Sequence, residues 1–130
     1  MRFLSTKTHG ILDYITGALL LGSPWLFGFG NGSAAQWTIL ATGLLLLLTT
    51  LFTDYEPSLV EFLPVPFHLT TDLILGIFLM TSPWIFGFSA AVFSPHLCLG
   101  LFIVLTAMVT KLRSARVHEF MLTYQQYIAS

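Results

Sequence analysis

A histidine and an aspartate four residues apart occur twice in this chain, as His9 with Asp13 and as His68 with Asp72. Residues four apart share one face of a helix, so each pair offers an imidazole nitrogen and a carboxylate side by side. Brought together, two such pairs could do four things. They could form a hydrogen-bonded polar clamp, in which each aspartate accepts from its own or from the other histidine. Two imidazoles and two carboxylates also suit a four-coordinate site for zinc or a similar divalent ion, although the spacing is not that of a known ligand motif. Histidine and aspartate inside a membrane can relay protons or line a solute pathway. Bis-histidine haem ligation through His9 and His68 is the fourth reading, and the flanking aspartates are not what a haem face wants. The clamp leads these readings, so no cofactor is expected, with a divalent metal as the alternative. No nucleotide-binding loop, nucleophile elbow, zinc-protease helix or redox cysteine pair is present, and Ser23 and Ser82 have no base near them in sequence. The expectation is a protein that is not an enzyme.

The elements that must hold these residues are apolar. Of 130 residues, 55% are hydrophobic and only 8% charged, with a mean hydropathy of +0.83. Soluble domains carry about 25% charged residues, so the composition points to an integral membrane protein with the lipid bilayer as its partner. The net charge is −1 and no basic cluster lies outside the tail, which argues against a nucleic-acid partner. Cys98 is the one cysteine; it cannot form an intramolecular disulfide and is expected to behave as a small buried hydrophobe.

Four hydrophobic segments can be drawn, at 10–29, 36–53, 68–88 and 92–110. Each corresponds to about 27–32 Å of helix, the thickness of a bilayer core. Continuous rather than alternating apolar runs exclude strands. Arg2 and Lys7 ahead of the first segment imitate a signal peptide. However, no small-residue cleavage site follows and the segment recurs inside the chain, so it is expected to belong to the fold.

The recurrence is a duplication. Between residues 9–29 and 68–88, eleven of twenty-one positions are identical. Further on, Gly43, Leu44, Leu48, Thr49 and Thr53 match Gly100, Leu101, Leu105, Thr106 and Thr110. The chain therefore divides into a first two-helix unit (1–60), a second (61–111) and a tail (112–130). All five Lys and Arg residues lie at the two ends of the chain, which by the positive-inside rule puts both termini in the cytoplasm of a bacterial-type inner membrane. The two units then point the same way, related by an axis along the membrane normal.

The stretches "SPWLFGF" (Ser23, Pro24, Trp25, Phe27, Gly28, Phe29) and "SPWIFGF" (Ser82, Pro83, Trp84, Phe86, Gly87, Phe88) resemble the SPW-repeat family of small membrane proteins. The likeness covers about residues 9–110. It implies a repeat of two transmembrane helices with the motif in the first, and it implies no activity or catalytic residue. Physically, Pro24 and Pro83 either kink a continuing helix or, with Ser23 and Ser82 as caps, begin a new one. The run from Ile11 to Gly22, about 18 Å of helix, is too short to span alone, which favours the kinked continuation. Trp25, Phe27, Phe29 and their counterparts would then stand in an outer aromatic belt, with Gly28 and Gly87 ending the helices. The motif serves either as an interfacial anchor or as the frame of an outward-facing cavity.

Gly17 and Gly76 continue the His/Asp faces by one turn. Small residues let helices approach closely in lipid, so the first and third helices are expected to meet there and bring all four polar residues together at the cytoplasmic end. An ionised aspartate at mid-membrane costs roughly 2.5–3.5 kcal/mol; near a helix N-terminus the cost falls. His96, which faces Ile39 in the repeat alignment, reads as interfacial. Asp54, Glu56 and Glu61 read as a solvated acidic linker facing Lys111, Arg113 and Arg116, with a cation site as the alternative. The tail carries Leu112, Val117, Phe120, Met121 and Tyr124 at helical spacing, as would an amphipathic helix on the inner membrane surface or beneath the other helices.

The fold class expected is all-α, with four transmembrane helices in two tandem repeats and a C-terminal amphipathic helix. The function expected is a structural or accessory membrane component, able to form homo-oligomers or to join another membrane protein. The alternative is a small transporter or metal- or proton-binding protein using His9, Asp13, His68 and Asp72.

Overall fold

The computed structural model describes residues 1–53, 63–113 and 115–129, with side chains beyond residue 114 described from His118 onward. The acidic linker of Asp54, Glu56 and Glu61, the 60/61 repeat boundary and the side chains of Arg116 and Val117 lie outside the described residues. Among the described residues the chain is all-α, with five helices: α1 (Thr6–Leu26), α2 (Ala34–Leu51), α3 (Val65–Ile85), α4 (Ser94–Val109) and α5 (Ala115–Ala129).

Helix starts follow local chemistry. Ser5 caps α1, its hydroxyl accepting from the Thr8 N–H at 3.1 Å, which satisfies one of the donors a helix start leaves open. Pro66 and Pro95 sit in the first turns of α3 and α4, where a missing N–H costs nothing. By length and apolar composition, α2 and α3 qualify as membrane spans, and α4 is a shorter apolar helix of 16 residues. α1 matches α3 at 21 residues, but polar residues dilute its apolar content.

α1 and α3 each end three residues before the apolar runs do, because the Phe-Gly-Phe residues leave the helix. Gly28 and Gly87 take φ of 75° and 71°, a left-handed conformation that L side chains resist. The N–H of Phe29 then donates to the Pro24 carbonyl at 2.8 Å, and that of Phe88 to Pro83 at 2.9 Å. This is the closure of a Schellman-type helix end.

α1 packs along α2 and α3 along α4, with smaller contacts of α2 on α3 and of α1 on α4. Each antiparallel hairpin closes over a pair of glycines. A Cβ on Gly43 would come within 3.3 Å of the Gly17 carbonyl oxygen, and one on Gly100 within 2.7 Å of the Gly76 oxygen. This corrects the expectation that Gly17 and Gly76 join α1 to α3. They instead let each first helix approach its own hairpin partner, and α1 and α3 stand across from one another.

Between the helices, Leu20, Ile39, Leu46, Leu75, Leu79 and Ile103 form the apolar core. The buried set is nonetheless rich in polar groups: His9, Asp13, Thr42, Thr50, Thr53, His68, Asp72, His96, Thr106 and Thr110 are all enclosed. The outward faces are apolar on all four helices, through Ile11, Ile15 and Leu19 of α1, Leu44, Leu45 and Leu48 of α2, Ile74 and Ile77 of α3, and Leu101, Leu105 and Met108 of α4. Cys98 belongs to this exposed set rather than to the core, because the inward stripe of α4 runs through His96, Gly100, Ile103 and Ala107. Every residue of α5 from His118 to Ala129 is exposed, so the tail helix is not buried beneath the others.

Candidate functional site

Hairpin topology places the starts of α1 and α3 and the ends of α2 and α4 at one end of the molecule. There the side chains of His9, Asp13, His68 and Asp72 meet, each of them buried. His9 Nε2 lies 3.0 Å from Asp72 Oδ2 and 3.1 Å from Asp13 Oδ2. His68 Nε2 lies 3.1 Å from Asp13 Oδ2 and 3.0 Å from Asp72 Oδ2. The result is a four-membered ring of alternating nitrogen and oxygen, with each histidine shared between its own repeat's aspartate and the other's. The imidazoles meet edge to face, 5.8 Å apart.

Both rings are oriented from behind. The Thr110 hydroxyl donates to the Thr106 carbonyl at 2.6 Å, and the Thr53 hydroxyl to the Thr49 carbonyl at 2.5 Å. A hydroxyl has one proton, so each threonine oxygen can only accept from the histidine beside it. Nδ1–H of His9 donates to Thr110 at 3.0 Å, and Nδ1–H of His68 to Thr53 at 2.9 Å; this network assigns the tautomer.

The same threonines close the end of the molecule. Leu4 pairs with Thr110 and Leu63 with Thr53 as isolated bridges. The N–H groups of Phe3 and Leu4 donate to the Val109 carbonyl, the Lys111 N–H to the Leu4 carbonyl, and the Leu63 N–H to that of Phe52. Arg2 adds a hydrogen bond to the Thr110 carbonyl at 2.9 Å. Each repeat's lead-in segment thus seals the helix end that supplies a threonine to the ring.

All four residues of the expected cluster are therefore brought together, and each presents one ligand-type atom within 4.8 Å of the others. Thr53 and Thr110 were not singled out as site residues from sequence. Their signal was present nonetheless, in their identity across the repeat at the end of each second helix.

The SPW residues lie at the opposite end. Pro24 and Pro83 are helical, one turn before each helix stops. Each proline removes the N–H that would bond the carbonyl four residues back, which belongs to Leu20 or Leu79. The preceding serine supplies the missing donor: Ser23 Oγ donates to Leu20 O and Ser82 Oγ to Leu79 O, both at 2.8 Å. Trp25, Phe27, Trp84 and Phe86 face outward, but Phe29 is buried and Phe88 partly so. The last aromatic of each motif therefore leaves the expected belt, because the glycine turn folds it inward. Both pack on His96, with ring centroids 5.6 and 4.9 Å away. His96 is fully enclosed rather than interfacial, and its Nε2–H donates to the Ala35 carbonyl at 2.9 Å.

The SPW repeat domain, as a sequence family, matches residues 7–110, and the chain belongs to that family. No curated protein and no solved structure matches it.

Proposed function

We propose that this SPW repeat protein is a small integral membrane protein of four spans, α1 to α4, with both termini on the cytoplasmic side of a bacterial-type inner membrane. In that membrane it serves as a structural or accessory component, as a homo-oligomer or beside another membrane protein, and catalyses no reaction. Support for the four spans comes from inverted polarity: His9, Asp13, His68, Asp72 and His96 are enclosed, and all four helices turn large apolar side chains outward. Lipid favours that arrangement and water does not. α5, with Lys111 and Arg113 leading into it, lies on the inner surface.

One observation carries the functional reading. The His/Asp ring is made across the repeats, His9 with Asp72 and His68 with Asp13, where α1 and α3 otherwise stand apart. It fastens two hairpins that each already pack internally. Asp13→Asn is expected to lower the thermal midpoint of the detergent-purified protein, because it removes a buried charged partner. Liposomes carrying wild-type protein are expected to pass protons and divalent ions no faster than empty ones. Wild-type flux that Asp13→Asn abolishes without unfolding would replace this reading with a transporter.

A further inference from the structure

The hydrogen bonds behind the ring determine what the ring can hold. Because Thr53 and Thr110 spend their hydroxyl protons on backbone carbonyls, Nδ1 carries the proton in both histidines. In the neutral imidazole, Nε2 then presents a lone pair. With both imidazoles neutral, each Nε2 would face two carboxylate oxygens at 3.0–3.1 Å and every corner of the ring would carry a lone pair. Such a ring requires positive charge at its centre. The second oxygen of Asp72 is also buried, without a hydrogen-bond partner among the described residues.

We propose that His9, Asp13, His68 and Asp72 form a four-coordinate site for a divalent first-row transition ion of the zinc class, and that this ion closes the lock between the two repeats. The inference rests on the lock reading and adds the occupant.

Size supports it. A ring with edges of 3.0–3.1 Å surrounds a point about 1.9 Å from each atom if folded to a regular tetrahedron and about 2.2 Å if flat, which brackets the about 2.0–2.2 Å of zinc bonds to imidazole and carboxylate. Donor type supports it as well. Two nitrogens among four ligands suit zinc and its neighbours, whereas magnesium and calcium take six or more ligands, mainly oxygen. Charge balance is the third support. A divalent cation and two carboxylates sum to zero, which removes the penalty of enclosing net charge away from water. Finally, metal-binding histidines characteristically donate their other ring N–H to an oxygen acceptor, and the Thr53 and Thr110 hydroxyl oxygens occupy that position here, fixing ring orientation and leaving Nε2 available. Thr53 and Thr110 are positioning residues in this scheme.

The test uses the full chain in detergent, stripped with a chelator, dialysed, and titrated with zinc chloride by calorimetry and by elemental mass spectrometry. The expected result is one zinc per chain, a rise in thermal midpoint on binding, and loss of both in His9→Ala/His68→Ala. That variant could fail to fold, so two further measurements stand apart from it. Cobalt(II) added to the stripped wild type should give the intense visible bands of a four-coordinate ion. Thr53→Val/Thr110→Val should keep the stoichiometry and lower zinc affinity about 10–100-fold, with Thr→Ser at both positions restoring it. No zinc bound by the wild type, or equal zinc bound by the folded histidine variant, overturns the metal site. If Asp13→Asn still destabilises the stripped protein in that case, the lock stands with protons as its positive charge. If Asp13→Asn is silent there, lock and metal fall together.

Discussion

Replacing Ser23 by alanine tests the chemistry of the SPW motif, because the structure makes the serine necessary only in the presence of the proline. The Ser23 hydroxyl donates to the Leu20 carbonyl at 2.8 Å, and Leu20 and Ser23 are both fully buried. Ser23→Ala deletes one small group, so the cavity left is minor. The cost comes from leaving a buried carbonyl without a donor, about 1–3 kcal/mol. Pro24→Ala restores a backbone N–H four residues after Leu20, so the ordinary helical bond can form and the single change should be close to neutral. In Ser23→Ala/Pro24→Ala the new N–H takes over the orphaned carbonyl, and most of the loss should return. The cycle should therefore show a coupling of about 1–2 kcal/mol between adjacent residues. The assay is reversible unfolding in mixed micelles by denaturing-detergent titration, followed by circular dichroism. The second repeat provides an internal replicate, since Ser82 reaches Leu79 with the same geometry. If Ser23→Ala costs the same with alanine at 24 as with proline, the mending argument is wrong.

Two further outcomes can be read in the same assay. Gly100→Ala should cost more than Gly17→Ala, about 1–3 kcal/mol. The new methyl at 100 meets the Gly76 carbonyl oxygen at 2.7 Å and the Met80 backbone nitrogen at 2.9 Å, whereas at 17 its nearest atoms belong to the Leu47 side chain. A flexible side chain can move aside and a helix backbone cannot, so equal costs would refute the close backbone crossing. Deleting residues 112–130 should leave the unfolding midpoint unchanged, since the described side chains of α5 are exposed. The same deletion should reduce the protein's contact with anionic lipid, read by tryptophan-independent lipid-to-protein energy transfer, and a fall in the midpoint would show that α5 packs on the other helices.

Much of this protein was legible in its residues alone. Composition and apolar runs determined the all-α, apolar character, because lipid admits only helices or closed barrels and the runs are continuous rather than alternating. The duplication determined that His9, Asp13, His68 and Asp72 would be two copies of one feature, and SPW-type repeat membership followed from the motif. Tertiary structure decided the partners. Gly17 looked like a contact between α1 and α3, but the hairpin partners α2 and α4 carry glycines at the matching depth, Gly43 and Gly100, and two facing glycines allow the closest approach. His96 looked interfacial because a helix start in sequence carries no sign of what folds over it; the left-handed turns at Gly28 and Gly87 bring Phe29 and Phe88 onto it. Thr53 and Thr110 read as ordinary helix-end threonines. Only the packing of each second helix against the following or preceding repeat puts their oxygens behind the histidines, and a hydroxyl's single proton then dictates which imidazole nitrogen faces the centre. Sequence spacing can place donors on a face, but which lone pairs converge depends on contacts between residues as far apart as His9 and Thr110.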